Sequence, residues 1–576
     1  MVVLLSLTIL YFLTKTGIYK RKLIEKQTEM NKKLYPYIVV ITAILFYIPF
    51  LGSVHLFDWD EINFAESARE MIVTGNFSRV QIDFHPFWEK PPLFFWMQAL
   101  SMKLFGINEF AARFPNAIIG IFTLITLYLI GKRLYDEKFG FIWALAYLGS
   151  FLPHIYFKSG IIDPLFNFFI FLTVIFLAGS IKENDNGKGL KFALIAGISA
   201  GLATLTKGPV GILIVSISVL VYWASVKFKK RLNWSNILAF TLSCLVITSL
   251  WFVSEIINNG FWFIREFLKY QADLFLKPGA GHSGPIYYHF IIVFFGCFPI
   301  SCLALPILFK KDTCSNESGK YFLKWMLILF WVVMILFSIV KTKIVHYSSL
   351  TYFPLSYFAT YFVYKLINDK NTFKRSLLWI LMVTGSIISI MLIGLPLLAT
   401  YKDLIIPYIK DDFVIACLSS PVKWNGYEFL IGAVYLILLF VSLIIIKQRK
   451  LFMGIITLFY STAFCIFFYL KVVVPKIEGY SQAPAINFYK SISGQDVYVT
   501  TVGFYSYAPY FYFRKMPGGN IESNNKDWLL NGEIDKPVYF VAQSIKKNLF
   551  EKHPDCKFIK QEGGYLFYYR LPRLQK

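Results

Sequence analysis

Apolar runs of about twenty residues recur along this chain, and they decide what it can become, because each is long enough to cross the hydrocarbon core of a bilayer as a helix. The runs fall at approximately 37–55, 114–132, 139–157, 162–181, 190–206, 208–226, 236–256, 286–309, 322–340, 345–364, 376–399, 427–446 and 452–471. They predict about thirteen transmembrane helices and an all-α polytopic membrane protein. Of the 576 residues 56% are hydrophobic and 16% charged, where a soluble domain would carry roughly a quarter charged.

The net charge of +24 does not point to nucleic acid, because the basic residues collect in short loops between apolar runs, as orientation signals do. Lys132-Arg133, Lys182 to Lys191, Lys227 to Arg231, Lys310-Lys311, Lys365 to Arg375 and Lys447 to Lys450 fall on one side, hence cytoplasmic. The long segments 56–113, 257–285 and 400–426, and everything after 472, fall on the other. Residues 1–35 form a cytoplasmic or interfacial segment: Val2–Leu13 is too short to span, and Met30 is an alternative start. The seven cysteines show no CxxC or zinc-finger spacing and read as small core residues. After residue 472 the composition changes. Strands are expected at Asp496–Val502, Pro537–Ala542 and Tyr565–Leu571, with helical character over Ser544–His553, so 473–576 reads as a small α/β domain following the transmembrane domain 36–472.

The chemistry concentrates in the first long loop, 56–113. Asp58, Asp60 and Glu61 crowd together beside a membrane span, where like charges repel and partial burial costs free energy. A helix runs from Glu61 with Asp60 at its start, so Asp60 is also a natural cap. Capping accounts for one carboxylate, not three. Further on, Glu89-Lys90-Pro91-Pro92 holds its charges on a loop stiffened by two prolines, and a fixed lysine there suits a phosphate leaving group. Asp163-Pro164 is an equally natural helix start. Lys207 at a helix junction is able to snorkel to the interface. Lys341-Thr-Lys343 breaks the positive-inside pattern, which favours an anionic ligand, and Tyr347 lies nearby with a hydroxyl to offer a phosphate. His289, within an apolar run, reads as a packed polar residue.

Several of these segments occur together in an order that resembles a known family: Asp60-Glu61 through Glu66 and Arg69-Glu70-Met71, Phe87 to Leu93, and Ala111-Ala112-Arg113-Phe114-Pro115. Ile162-Asp163-Pro164, Leu205 to Pro209 and Lys343 to Pro354 extend the likeness over about residues 35–365. The family is that of the bacterial lipid A aminoarabinose transferases and related polyprenyl-phosphate-sugar glycosyltransferases, distant kin of the protein O-mannosyltransferases. The resemblance implies a GT-C fold in the bacterial inner membrane, with active site and C-terminus on the periplasmic face. It implies a polyprenyl (undecaprenyl) phosphate-linked sugar as donor, and a glycolipid, protein or glycan as acceptor. It further implies that Asp60 and Asp163 are the catalytic acids, that Lys90 lies near the donor phosphate, and that Glu89 and His282 hold a structural metal, zinc. Lys207, Lys343 and Tyr347 are expected to join Lys90 at that phosphate from their own placement. Asp58-Trp59 departs from the family pattern, which leaves Asp58 standing beside Asp60 as the alternative acid.

A donor already activated by a lipid needs no nucleotide cofactor, and no nucleotide-binding Gly-rich loop is visible. A single base acting without a covalent intermediate inverts the anomeric centre. The alternative is a flippase or transporter of lipid-linked sugar. Against it stand the scarcity of mid-depth charges and the absence of repeat halves.

Overall fold

The computed structural model describes residues 20–183, 187–229, 233–276, 283–309, 316–369 and 373–573. The expected spans fall largely on helix, the first of them, 37–55, being helical only as far as Tyr47. Eight helices among the described residues are individually long and apolar enough to cross a membrane, from Glu109–Leu134 to the continuous stretch Leu451–Glu478. Others are broken. The span expected over 139–157 is two helices, Glu137–Leu148 and Phe151–Tyr156, and that over 286–309 is Tyr288–Gly296 followed by Ile300–Phe309. The protein is a multi-pass membrane protein. Glycine is required where helices Glu109–Leu134 and Glu137–Leu148 cross: a Cβ on Gly131 would lie 2.7 Å from the Cα of Gly140, so the two backbones touch.

The first loop is built rather than loose. Helix Asp60–Thr74 leads into a two-residue hairpin, β1 (Gln81–Ile82) and β2 (His85–Pro86), and then into an apolar helix, Leu93–Phe105. That last helix was not expected from the sequence, because at 13 residues it is too short to register as a span.

A buried Arg113 anchors the loop. Its guanidinium grips Glu61 with Nε and Nη2 at 2.9 and 2.7 Å and donates to the carbonyls of Leu51, Val54 and His55. Glu61 also accepts the backbone N–H groups of Phe57 and Gly160. Burial acts to raise the Glu61 pKa, but Arg113 and these donors hold it below the ordinary value.

One turn along, Glu66 binds Arg69 at 2.7 and 2.6 Å, while the buried Glu70 accepts the Phe84 N–H at 2.9 Å. Burial and the neighbouring Glu66 carboxylate push Glu70 up to about 9. A carboxyl whose pKa rises on folding stabilises the fold fully below its ordinary value of 4.5 and loses that contribution as pH rises toward about 9. Glu70→Gln, which keeps an acceptor for Phe84, is expected to flatten this dependence. Relative to wild type its melting temperature should gain about 2–4 °C between pH 5 and pH 9. That gain, read from melting curves of the two proteins run side by side, would show that the fold holds Glu70 protonated across this range.

The C-terminal part carries a four-stranded sheet in the order β3-β4-β6-β5: β3 (Tyr498–Val502), β4 (Val538–Gln543), β5 (Lys557–Glu562) and β6 (Tyr565–Arg570). β3 and β4 are parallel, and the other pairs antiparallel. Three strands lie where alternating apolar residues place them. β5 was not expected, because Lys557–Glu562 is an exposed edge with mostly polar side chains. The helical character expected over Ser544–His553 reduces to two short turns, Ser544–Lys546 and Asn548–Glu551. One face of the sheet, with Val541 and Phe567, joins the main core; the other closes over a second cluster with Phe540 and Leu566.

This part is stitched to the acidic loop. Tyr512 Oη accepts the Leu56 N–H at 2.7 Å, Gln482 donates to the Leu56 carbonyl at 2.8 Å, and Arg69 donates to the Lys515 carbonyl at 2.7 Å.

Candidate active site

Asp60 and Asp163 each open a helix, Asp60–Thr74 and Asp163–Lys182, yet neither side chain caps it. The capping explanation open to each from sequence is therefore not realised. Their carboxylates turn to charged partners instead. Asp163, almost wholly buried, accepts from Lys207 Nζ at 2.6 Å. Its other oxygen lies 3.8 Å from His346 Nε2, and Asp60 Oδ2 lies 3.7 Å from the same nitrogen. One imidazole thus stands between the two acids. The Asp60 side chain remains 42% exposed, free to meet a ligand.

Lys207 is the last residue of helix Gly187–Lys207, and its ammonium sits over the ring of Tyr347 at 5.2 Å. Lys90 comes from the loop, 3.8 Å from Glu89 and 4.9 Å from the centre of the Tyr270 ring. Burial lowers the Lys90 pKa, opposed by Glu89, Asp60 and Asp163. Two ammoniums and two carboxylates thereby converge from four separate segments.

Asp163 and Lys207 border a cleft whose empty space, counted out to open solvent, is about 540 Å³. Asp163, Lys207, Tyr347, Asn167 and Gln271 make its polar part, and Phe166, Val210, Ile214, Phe337, Val340 and Leu350 its apolar part. A charged head and an apolar body match an amphipathic ligand.

Other residues named from sequence are placed differently. Lys343 is buried, and its ammonium donates to the carbonyls of Phe337, Ser338 and Val340 at 3.0, 2.6 and 2.7 Å. All three donors are spent closing the end of helix Glu317–Ile339, which leaves none for a phosphate. This corrects the expectation drawn from its charge. Glu61 belongs to the Arg113 anchor. Asp58 accepts the Tyr507 N–H at 3.2 Å; burial raises its pKa, against the pull of Ser506 and Tyr507. His289 is fully buried against Tyr288 and Phe337, as a packed residue.

The metal expected at Glu89 and His282 finds no matching donor set. Glu89 accepts the Tyr270 hydroxyl at 2.7 Å and neighbours an ammonium. No group of three or more His, Cys, Asp or Glu that could hold a metal ion occurs among the described residues, and His282 lies outside them.

His346 and Tyr270 were missed from sequence. A lone histidine inside an apolar-aromatic stretch carries no periodicity, and Tyr270 sits on a helix, Trp262–Leu276, whose role shows only once it folds over Glu89.

The chain is a helical multi-pass membrane protein with the fold of the GT-C glycosyltransferases. Crystal structures of ArnT from Cupriavidus metallidurans, one in the apo state and one bound to undecaprenyl phosphate, align with TM-scores of 0.72 and 0.71. Each covers 92% of this chain and 97% of that chain at 16% identity, a likeness of fold. Residues 89–251 match the family model described as dolichyl-phosphate-mannose-protein mannosyltransferase. The chain is 28% identical over 458 residues to the undecaprenyl phosphate-alpha-4-amino-4-deoxy-L-arabinose arabinosyl transferase of Wigglesworthia glossinidia brevipalpis, covering 74% of this chain and 79% of that protein. To the enzyme of the same name from Edwardsiella ictaluri it is 25% identical over 370 residues, 62% of this chain and 65% of that one.

Proposed function

We propose that this protein transfers a glycosyl group from a polyprenyl-phosphate-linked sugar to an acceptor on the outer, periplasmic face of a bacterial cytoplasmic membrane. The observation that carries the reading is the convergence of Lys90 and Asp60 on Asp163 and Lys207, the last two lining a largely apolar cavity. The polyprenyl chain occupies the apolar part, and its phosphate meets Lys90 and Lys207, with the Tyr347 hydroxyl as a further donor. Asp163 holds Lys207 in place. Asp60 takes the proton of the acceptor hydroxyl as its oxygen bonds to the anomeric carbon. The bond from that carbon to the phosphate oxygen breaks on the opposite side, and the lysines stabilise the departing polyprenyl phosphate. One displacement gives inversion. The lipid phosphate supplies the activation, so no nucleotide takes part.

The relatives' printed activity, arabinosyl transfer from undecaprenyl phosphate, supports this donor class. In this reading residues 473–576 form a periplasmic α/β domain and the basic loops face the cytoplasm. The test is turnover by the purified protein of a panel of radiolabelled polyprenyl-phosphate sugars, with membrane extract supplying acceptors. Acceptor-dependent release of polyprenyl phosphate is the expected result. Labelled lipid crossing between the leaflets of reconstituted vesicles with no release would replace the transferase by a flippase.

A further inference from the structure

At the end of the bundle away from the acidic loop, helices Leu430–Lys447 and Leu451–Val472 are joined by a short turn, Gln448-Arg449-Lys450. The second helix has 22 residues and so runs about 33 Å. It leads into Val474–Glu478, where the Glu478 carboxylate lies 3.0 Å from His55 Nδ1, at the foot of the acidic loop. The turn borders a cleft whose empty space, counted out to open solvent, is about 1430 Å³. Lys447, Arg449 and Lys450 line it and are exposed. None of the three is ion-paired among the described residues, and no carboxylate lines the cleft. The rest of its lining is apolar and mostly half-buried: Leu366 and Ile367 from helix Tyr352–Asn368, Leu378 from helix Arg375–Thr400, and Phe452 and Met453 beside the turn. A further ammonium, that of Lys138, stands 4.9 Å from the centre of the Phe452 ring. Arg449 has φ 64°, a left-handed conformation that glycine adopts without steric cost.

We propose that this cleft binds the headgroup of an anionic phospholipid in the leaflet opposite the acidic loop, which is the cytoplasmic one in the orientation proposed above. The lipid phosphate meets Lys447, Arg449 and Lys450, and the upper acyl chains lie on the apolar lining. The site is separate from the glycosyl transfer and does not depend on it. Three cations with no carboxylate among them leave charge that an anion neutralises, and an arginine offers phosphate oxygens a fork of N–H donors. A basic pocket between span ends is suited to acidic lipid headgroups for this reason. A zwitterionic headgroup would bring its own ammonium to cations already gathered there. Free phosphate would gain nothing from Leu366, Ile367, Leu378 and Met453, whereas an acyl chain loses water against them. The chain's own N-terminal segment is no candidate, since Lys20, Arg21, Lys22, Lys32 and Lys33 give it the same sign. Orientation in the membrane asks only that cations lie on this side. It asks for no cleft and for no arginine where glycine would sit unstrained, and a left-handed arginine points to a use for its side chain.

The test is native mass spectrometry of the full-length protein released from detergent micelles, titrated with phosphatidylglycerol or with phosphatidylcholine of the same acyl chains. The first phosphatidylglycerol should bind about tenfold more tightly than the first phosphatidylcholine. Lys447→Gln with Lys450→Gln should abolish that preference. Lys188→Gln with Lys191→Gln takes the same charge from another basic loop and should leave the preference within roughly twofold of wild type. Equal affinity of the wild type for the two lipids would overturn the proposal. So would an equal loss in both double variants, because surface charge at large, and not the cleft, would then hold the lipid. Arg449→Gly separates the ligand from the turn: it should weaken phosphatidylglycerol about fivefold, while its melting temperature in phosphatidylcholine nanodiscs stays at or above that of the wild type. Wild-type affinity in Arg449→Gly and in the Lys447/Lys450 variant alike would remove the site. Millimolar inorganic phosphate should leave the lipid bound, and full displacement would make the ligand a soluble phosphate instead. Preference for a polyglutamate peptide over phosphatidylglycerol would assign the cleft to an acidic protein partner and overturn the lipid.

Discussion

Asp60→Asn should lower glycosyl transfer by about 10²–10⁴-fold, the usual contribution of a general base, while the protein still folds and binds donor. Asparagine fills the same space but cannot accept the acceptor's proton. Folding should survive because Asp60 does not cap its helix, and its carboxylate lies no closer than 3.7 Å to His346 Nε2. Asp58→Asn should behave in the opposite sense. Its carboxylate accepts the Tyr507 N–H and joins the loop to the C-terminal part, so its loss should appear first in the melting temperature. Rates of polyprenyl phosphate release and melting curves for both variants separate the two aspartates. Asp60→Asn turnover within tenfold of wild type would remove Asp60 from the role of base.

The second large effect concerns stability. Arg113→Ala should cost about 3–5 kcal/mol, because it leaves Glu61 charged and buried without its partner. It also orphans the carbonyls of Leu51, Val54 and His55, which Arg113 now satisfies. Activity should fall with stability, since Glu61 and Asp60 are consecutive. The double variant Glu61→Leu with Arg113→Met removes both charges and should recover part of the loss, as apolar replacement of a buried ion pair often does. The yield of monodisperse protein and its melting temperature would measure both. An Arg113→Ala protein that melts with the wild type would show that the anchor is not structural.

The membrane part was largely legible in the sequence because span length and apolarity are properties of consecutive residues. Breaks were not. The interruption between Leu148 and Phe151 leaves hydropathy unchanged, so a single span was expected where two helices lie. In the site, Asp60, Asp163, Lys90, Lys207 and Tyr347 stood out as charged or polar groups at span ends, and the fold brings these five together. Lys343 stood out for the same reason and proved different, because its partners are main-chain carbonyls that composition does not reveal. Glu61 similarly needed Arg113, 52 residues away in the chain, before its role could be seen. His346 shows the converse: its importance comes from two carboxylates that approach it only in three dimensions.

The contacts that fix the acidic loop also set a clock. Leu56 is held by Tyr512, 456 residues later in the chain, and Asp58 by Tyr507, 449 residues later. At the usual pace of translation that separation takes roughly 20–90 s, during which Asp60 is already synthesised but its loop lacks these partners. A nascent or truncated chain would own every acid and lysine of the site without the geometry that makes them useful. Competence would therefore wait for residues 507–512, and a lipid already in the membrane would meet a finished site only after they have been made.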